Sequence, residues 1–415
     1  MKKFAKMSLV AAVAVAGLTT TSSAKALEDA IKNVDVSGVV TYRYNDYEDN
    51  YDDKNGDGNK EHFSKSSNNY KISLNLKSKV NEDVTANTRF IIGGQNSASE
   101  ASLSTHNDGD GQLNVTLSEV NFVYTGIANT SITFGKQALA TPFTMARDSM
   151  GNEQTGTGAL AVTNLGPVTL AAAYFNQTNL GGGNSDITKT YGEISDQLDV
   201  NDDKIGDITG DENVVFVGAM ASFAGINIDA SYIDLQDIAD AYTVGLAASY
   251  NVGDVKLSPY VRYSSLDLDD TSADNKLFKV GINAQMGIFD AFLAYGHTDK
   301  EGGTTALDYS ADTGMDPHWR VTLTGINDAD AIYASIGAQV LPKLHVALKY
   351  SGIDTGSKTT GTGDQEEIYT KITYDMSKNF STYLQFGQFT KDKASGSTDK
   401  DVDSTIGRLN VQYSF

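Results

Sequence analysis

Hydrophobic and polar residues alternate along many short stretches of the chain. Between Tyr70 and Lys77, apolar residues occupy every second position and polar residues fill the positions between them, and the pattern recurs over 344–351. Alternation with a period of two is typical of β-strands that have one apolar and one polar face. The pattern predicts eighteen strands, at 35–45, 68–80, 84–93, 113–125, 130–136, 158–165, 168–176, 213–224, 226–235, 241–252, 255–266, 276–286, 289–297, 330–340, 344–353, 366–376, 380–390 and 405–415.

Two kinds of connection join the predicted strands. Some are as short as Gly166-Pro167 and Gly253-Asp254, whereas others are long and rich in Asp, Asn, Gly, Ser and Thr. The long connections include 46–67, 94–112, 137–157, 177–212, 298–329 and 391–404. An even strand number, tight periplasmic turns and longer external loops are typical of bacterial outer-membrane barrels. The chain is therefore predicted to be all-β, a transmembrane antiparallel β-barrel of about 18 strands.

The two faces of the predicted strands differ in chemistry. The apolar face carries aromatic residues near strand ends, as at Tyr42, Phe134 and Phe386, where the interfacial girdles of such barrels lie. The polar face carries ten cations: Arg43, Lys71, Lys77, Arg89, Lys256, Arg262, Lys279, Lys349, Lys371 and Arg408. Ten cations cannot be buried unpaired in a packed interior. An eighteen-stranded barrel is wide enough for a water-filled channel, so the polar face is predicted to line a pore.

The N-terminal segment has the features of a secretory signal peptide. Lys2, Lys3 and Lys6 precede an apolar run over 7–18, and small residues follow. The run is too short to span a bilayer as a helix. Residues 1–24 are predicted to be the signal peptide, with cleavage after Ala24 or, alternatively, after Ala26. Residues 25–415 are predicted to form a single barrel domain in the outer membrane of a Gram-negative cell.

Composition excludes several classes of protein. The chain has no cysteine and a formal net charge of −21. It therefore cannot have disulfides or thiolate metal sites, and nucleic acid is not expected as a partner because phosphate binding needs clustered Lys and Arg. The five histidines are not in metal-binding spacings, and the sequence lacks a nucleophile elbow, a Walker loop and a dinucleotide fingerprint. The protein is not expected to be an enzyme.

Several segments resemble the campylobacter-type major outer membrane porins. The similar segments are 27–38, Phe134-Gly135-Lys136-Gln137-Ala138-Leu139, 141–144, 155–158 and 168–174. The resemblance implies an eighteen-stranded homotrimeric porin in which the loop after Gly135-Lys136-Gln137 folds into the pore. It also implies a calcium ion at the constriction, for which Glu119 and Asp148 are the nearest candidate ligands. The C-terminal segment 409–415 resembles the recognition strand of outer-membrane proteins, with Tyr413 and Phe415 as the barrel-assembly signal.

A constriction is predicted at 137–157. This loop contains Arg147, Asp148 and Glu153, and acids on an infolded loop that face a cationic wall would set up a transverse field at the narrowest point. The alternative is a surface loop whose charges face bulk water. The predicted pore-lining residues are Arg43, Lys71, Arg89, Glu119, Arg147, Asp148, Glu153, Arg262, Lys371 and Arg408. Arg43, Lys71, Arg89 and Arg408 are expected to cluster, because the first and last strands of a closed barrel are neighbours.

The predicted function is passive general diffusion of ions and small hydrophilic solutes across the outer membrane. No cofactor is required for this, and calcium is implied only by the resemblance. One alternative is a substrate-specific channel, since Tyr260, Tyr333, Tyr369 and Tyr383 are predicted to face the lumen. Another is an adhesin or surface-antigen role of the loops. Outer-membrane lipid and lipopolysaccharide are the expected surroundings, and the acidic loops weakly favour cations as the preferred ions.

Overall fold

A computed structural model describes residues 34–52, 60–94, 98–103, 114–181, 208–269, 274–315, 319–355, 363–393 and 401–415. The predicted signal peptide and its cleavage site lie outside these residues. No helix in the described part of the chain is long and apolar enough to cross a membrane.

The described residues form twenty β-strands. They are β1 (Val34–Asp52), β2 (Lys60–Lys79), β3 (Val84–Gly93), β4 (Ala101–Ser102), β5 (Asn114–Ile127), β6 (Thr130–Ala138), β7 (Thr155–Leu165), β8 (Val168–Thr178), β9 (Val214–Phe223), β10 (Ile226–Leu235), β11 (Ala239–Ala248), β12 (Tyr250–Val252), β13 (Val255–Leu268), β14 (Asp274–Met286), β15 (Phe289–Thr298), β16 (Ala329–Leu341), β17 (Leu344–Thr355), β18 (Gln365–Ser377), β19 (Phe380–Lys391) and β20 (Val402–Ser414).

The strands form one closed antiparallel barrel. The first strand, β1, pairs with the last, β20, so that Arg43 lies opposite Asn410. Strands β11 and β12 flank Ser249 and pair with β13 in the same register, so together they make one wall strand. The two-residue β4 pairs with β2 beyond the end of β3. The wall therefore has eighteen strands, which confirms the predicted fold class.

The two ends of the barrel differ in their connections. At one end, two- to four-residue turns join the strands, and residues such as Asn129, Gly166 and Gly225 take positive φ values there. These are residues that adopt the left-handed region at low cost. At the other end, most connections are longer. The prediction of a loop over 46–67 was wrong in extent, because β1 continues to Asp52 and β2 begins at Lys60 as one long hairpin.

The outward face of the barrel is apolar and the inward face is largely polar. Phe386, Leu384 and Ile368 are exposed on the outside, whereas the residues that alternate with them point into the lumen. An exposed apolar band around a barrel is expected where lipid, and not water, is the solvent.

The lumen is not polar throughout. The segment 139–154 after β6 and the described parts of the segment after β15, 299–315 and 319–328, lie inside the barrel, against apolar residues of the inner wall. Phe143 and Leu307 pack in one buried cluster with Phe175, Phe216 and Leu266, and Val321 and Leu323 pack in a second. The prediction that 298–329 is an external loop was wrong, because described apolar residues of this segment, such as Leu307, Val321 and Leu323, are buried within the lumen.

Candidate functional site

Glu153 fixes the first internal segment, 139–154, to the inner wall. Its carboxylate accepts hydrogen bonds from Arg89 Nε at 2.7 Å and Arg89 Nη2 at 2.5 Å, and lies 3.2 Å from Lys71 Nζ. The side chains of Glu153, Lys71 and Arg89 are 0%, 2% and 9% exposed. In such a dry cluster each charge depends on its partners, because an unpaired buried charge is costly. Arg89 and Lys71 stand on adjacent strands, β3 and β2.

Lys71 and Asp148 organise the bend of the same segment. Lys71 Nζ also donates to the backbone carbonyls of Asp148 at 2.8 Å and Gly151 at 2.9 Å. Asp148 Oδ1 accepts from the backbone amides of Met150 at 2.7 Å and Gly151 at 2.5 Å. The Asp148 carboxylate therefore shapes the bend by hydrogen bonding within the segment.

Arg147 joins Glu119 to this cluster. Its guanidinium forms an ion pair with Glu119 of β5 and lies 3.9 Å from Glu153 Oε2. Glu119 and Asp148, the candidate calcium ligands, are thus engaged by a guanidinium and by backbone amides. Among the described residues there is no group of three or more His, Asp or Glu arranged to hold a metal ion. These residues do not form a calcium site in this arrangement, and calcium stays a prediction of the family resemblance.

Glu367 on β18 fixes the second internal segment, which is described over 299–315 and 319–328. Its carboxylate accepts hydrogen bonds from the backbone amides of Trp319 at 2.9 Å, Arg320 at 2.7 Å and Val321 at 3.4 Å. Ser351 Oγ donates to it at 3.1 Å. Arg320 also lies over the Phe389 ring, 4.4 Å from its centroid. Each internal segment is thus held by one buried glutamate.

The two internal segments contact each other within the lumen. The backbone amide of Leu307 donates to the Phe143 carbonyl at 2.7 Å, and the Thr313 amide donates to the Pro142 carbonyl at 3.0 Å. Gln154 Nε2 donates to the Leu307 carbonyl at 2.8 Å. Together the segments form an internal partition that narrows the passage through the barrel.

Four cations follow one another on the inner wall from β17 to β1. Arg43 Nε donates to Asn410 Oδ1 at 3.1 Å, and Arg408 Nε donates to Asn45 Oδ1 at 2.7 Å. Lys371 Nζ lies over the Tyr383 ring, 4.2 Å from its centroid. Within the described part of the chain, Lys349 and Lys371 form no ion pair with a carboxylate. This strip of the wall therefore has an excess of positive charge.

Arg262 lies away from these groups, on the opposite side of the barrel. It forms a bidentate pair with Asp229 of β10, at 2.8 and 3.0 Å. Residues of the wall strands β13–β17 line an open cavity of about 1020 Å³ in the lumen. Lys256, Lys279 and Lys349 line it together with Asp290, which is paired with His345 at 2.6 Å.

Glu100 is a charged residue of this region that the sequence did not single out. It precedes β4, and its carboxylate lies 3.9 Å from Arg43 Nη1. Burial raises the pKa of Glu100, and the charges of Arg43 and Arg408 oppose that rise. The position of Glu100 follows from the pairing of β4 with β2. A strand of two residues is too short to show hydrophobic alternation, so the sequence pattern could not predict this pairing.

The structure brings seven of the predicted residues together and leaves others apart. Arg43, Lys71, Arg89, Glu119, Arg147, Asp148 and Glu153 lie around the first internal segment, and Arg408 and Lys371 extend the group along the wall. Tyr413 and Phe415 lie elsewhere, stacked on the outside with ring centroids 5.9 Å apart. Sequence reasoning missed Glu100, Trp319, Arg320 and Glu367.

A closed eighteen-stranded barrel with an apolar outer band and a charged, partly obstructed lumen defines an outer-membrane β-barrel channel. The family model of the Campylobacter major outer membrane protein matches residues 1–415, so the chain belongs to that family. The protein therefore lies in the cell outer membrane and is a porin. Its short turns face the periplasm and its longer loops the exterior, as in barrels of this class.

Solved structures of Pseudomonas aeruginosa channels share the fold. OccK2 (OpdF) in complex with glucuronate has a TM-score of 0.66 at 14% identity, and the match covers 92% of this chain and 98% of that one. OpdK with vanillate has a TM-score of 0.66 at 15% identity with the same coverage. OccK5 (OpdH) has a TM-score of 0.63 at 14% identity, again with 92% and 98% covered. A search of curated proteins found no match.

Proposed function

We propose that the protein is a passive general-diffusion porin for ions and small hydrophilic solutes. The observation that carries the proposal is the contact between the two internal segments, where Leu307 donates to Phe143 and Gln154 donates to Leu307. A partition fixed to the wall narrows a wide barrel without sealing it by a plug domain. Solutes would then be sorted by size and by the charges of the remaining opening.

The charges around that opening are unevenly balanced. Lys71 and Arg89 both form ion pairs with Glu153. Arg147 pairs with Glu119, and Arg43 lies near Glu100. Lys349 and Lys371 add charge that no described carboxylate pairs. We infer that this strip attracts anions locally, whereas the acidic outer loops favour cations at the entrance. The ion selectivity of the whole channel then depends on the balance between the positive field of this strip and the negative field of the outer loops.

The double variant Lys349→Gln/Lys371→Gln is expected to shift the selectivity of the channel toward cations. One unit charge about 10 Å from a passing ion in water contributes about 0.4 kcal/mol, which is roughly a twofold change in ion population per lysine at low salt. Removal of the pair should therefore change each ion population about fourfold, in opposite directions for cations and anions, and the permeability ratio by roughly sixteenfold at low salt, and less at high salt. The reversal potential across a planar bilayer in a salt gradient measures this. Lys343→Gln, on a periplasmic turn, is the matched control, and equal shifts in both proteins would contradict the inference.

Acidification is expected to increase anion preference in a step that depends on Glu100. Because burial raises the pKa of Glu100, its carboxyl gains a proton at a higher pH than an ordinary glutamate, whose pKa is about 4.3. Protonation removes a negative charge beside Arg43, so the wall becomes more positive as pH falls. Reversal potentials measured from neutral to mildly acidic pH should show this step in the wild type. Glu100→Gln should remove it, whereas Glu82→Gln on a periplasmic turn should leave it in place.

Planar-bilayer conductance of the purified protein tests the proposed function. A diffusion porin should give open channels whose conductance rises in proportion to salt concentration and whose solute flux does not saturate. Folded barrels without channel activity would overturn the proposal.

A substrate-specific channel for anionic solutes is the second candidate. The cavity of about 1020 Å³ favours it, since Lys256, Lys279 and Lys349 line a space large enough for a small organic anion. Flux that saturates with one carboxylate solute, and current block by the same solute, would support this candidate over general diffusion.

We also propose that the porin assembles as a homotrimer and contacts lipopolysaccharide through its outer face. The apolar outer band and the family membership support these proposals. The mass of the detergent-solubilised protein and its co-purification with lipopolysaccharide test them separately.

A further inference from the structure

The open cavity of about 1020 Å³ has residues of the periplasmic mouth and of the second internal segment in its lining. Gly287 and Ile288 belong to the periplasmic turn between β14 and β15. Met315 belongs to the second internal segment, which Lys279 Nζ holds by donating to the Gly314 carbonyl at 2.5 Å. A solute that moves between the partition and the periplasm therefore has access to the cavity.

One row of inward side chains crosses the wall of this cavity. Strand pairing places four of them side by side on β17, β16, β15 and β14, in the order Lys349, Ser335, Phe292 and Asn283. Because neighbouring strands lie about 4.8 Å apart, the row is about 14 Å long. It presents a cation, a hydroxyl, an aromatic ring and an amide in succession.

The polar members of the row are available to a ligand. Lys349, Ser335 and Asn283 form no hydrogen bond or ion pair with the described residues. Lys349 is partly buried, and a charge that is removed from water is costly unless a counter-charge lies close to it. A carboxylate placed between Lys349 and Ser335 would supply that counter-charge and would accept a hydrogen bond from each.

The carboxylate of the cavity already has a partner. Among the described residues that line the cavity, Asp290 is the single acid, and its Oδ1 lies 2.6 Å from His345 Nε2. The two side chains meet across Gly337 of β16, where a Cβ would lie 2.7 Å from each of them. Three lysines and one paired aspartate give the cavity an excess of positive charge, so an anion is the expected ligand.

Aromatic rings form much of the apolar lining. The Tyr333 hydroxyl donates to the Val321 carbonyl at 3.3 Å, which fixes that ring. The Tyr260 ring lies over Gly281 of the next strand, where a Cβ would lie 2.6 Å from two ring carbons. Phe292 lies on β15, between the strands that carry these two rings. A pocket of this kind takes a ligand with an apolar body and few polar groups, and an aromatic body gains further from stacking on the rings.

We propose that this row binds a single-ring aromatic carboxylate with a hydroxyl group opposite the carboxylate. Lys349 and Ser335 donate to the carboxylate, the ring stacks on Phe292, and the hydroxyl meets the Asn283 amide. The inference rests on the proposed channel function in that the solute must reach the lumen. It defines a retention site between the partition and the periplasm, at which the flux of this class of solute would saturate.

Calorimetric titration of the purified, detergent-solubilised protein with 4-hydroxybenzoate tests the site. The wild type should bind this acid saturably, and Lys349→Gln should weaken binding about tenfold because a charge-assisted hydrogen bond is lost. Lys343→Gln is the matched control, since Lys343 lies on a periplasmic turn and donates to the Met376 carbonyl outside the cavity. Its affinity should equal that of the wild type. Absence of saturable binding to the wild type, or equal weakening in both variants, would overturn the proposal.

Two related solutes and a second variant test the class of ligand. 4-Hydroxybenzyl alcohol keeps the ring without the charge, and succinate keeps the charge without the ring, so both should bind the wild type about tenfold more weakly than 4-hydroxybenzoate. Phe292→Leu removes the ring of the row and should weaken binding of 4-hydroxybenzoate about three- to tenfold while it leaves that of succinate unchanged. Equal affinity for all three solutes, or equal effects of Phe292→Leu on both acids, would overturn the assignment.

Conductance in potassium chloride separates this inference from the proposed function. A wild type that conducts but does not bind 4-hydroxybenzoate would overturn the site and leave the diffusion porin standing. A wild type that binds the acid through Lys349 but does not conduct would support the site and overturn the porin. Heat-dependent mobility in a detergent gel verifies that each barrel is folded.

Discussion

Glu153→Gln is expected to detach the first internal segment from the wall and enlarge the channel. The variant keeps the shape of the side chain but leaves Lys71 and Arg89 as buried cations without their shared carboxylate. Loss of one partner from a buried ion pair costs about 3–5 kcal/mol. Water would solvate these two buried cations, and it reaches them when the segment leaves the wall. Single-channel conductance and open-channel noise should therefore both rise.

An exposed ion pair provides the control for this prediction. Asp274 pairs with Lys276 at 2.8 Å, and their side chains are 51% and 34% exposed, so Asp274→Asn should cost about 0–1 kcal/mol and leave conductance unchanged. Urea unfolding in detergent and bilayer recording measure the two effects for each variant. If Glu153→Gln unfolds at the wild-type urea concentration and shows wild-type conductance, Glu153 does not hold the segment.

The wall of the barrel could be predicted from the sequence because lipid outside and water inside impose alternation on every strand. All eighteen predicted wall strands are present, and the predicted faces of Lys71 and Phe386 are those observed. Alternation places a side chain on a face but does not name its partner. Glu153 was predicted to face a cationic wall across the pore, and the structure places its carboxylate in direct contact with Lys71 and Arg89.

The second internal segment could not be predicted in the same way. Its position depends on apolar contacts within the lumen, such as those of Leu323 and Val321 with wall residues, and on backbone amides bound by Glu367. A signal for such contacts exists in the chain, since 214–217 is apolar on both faces of its strand and Phe216 lies in the lumen. This apolar run indicates that another segment of the chain packs against the inner wall at Phe216, but it does not identify that segment.

Trp319 should report release of the second internal segment in the variant Glu367→Ala. The substitution removes the acceptor of three backbone hydrogen bonds, and hydrogen bonds to a charged group are worth about 1.5–3 kcal/mol each. Trp319 packs edge-on against Tyr369, with ring centroids 5.0 Å apart, and is the single tryptophan of the chain. Its emission should shift to longer wavelength, and acrylamide should quench it more efficiently than in the wild type.

The neighbouring glutamate separates this effect from a general loss of charge on β18. Glu366 points outward at the external end of the same strand, so Glu366→Ala should leave the Trp319 spectrum unchanged. If Glu367 holds the segment, its loss should also raise conductance, because Trp319 and Arg320 would no longer be fixed across the lumen beside Phe389 and Arg408. A spectral shift without a change in conductance would place Trp319 outside the narrowest passage. An unchanged spectrum would mean that the apolar contacts of Val321 and Leu323 hold the segment without Glu367.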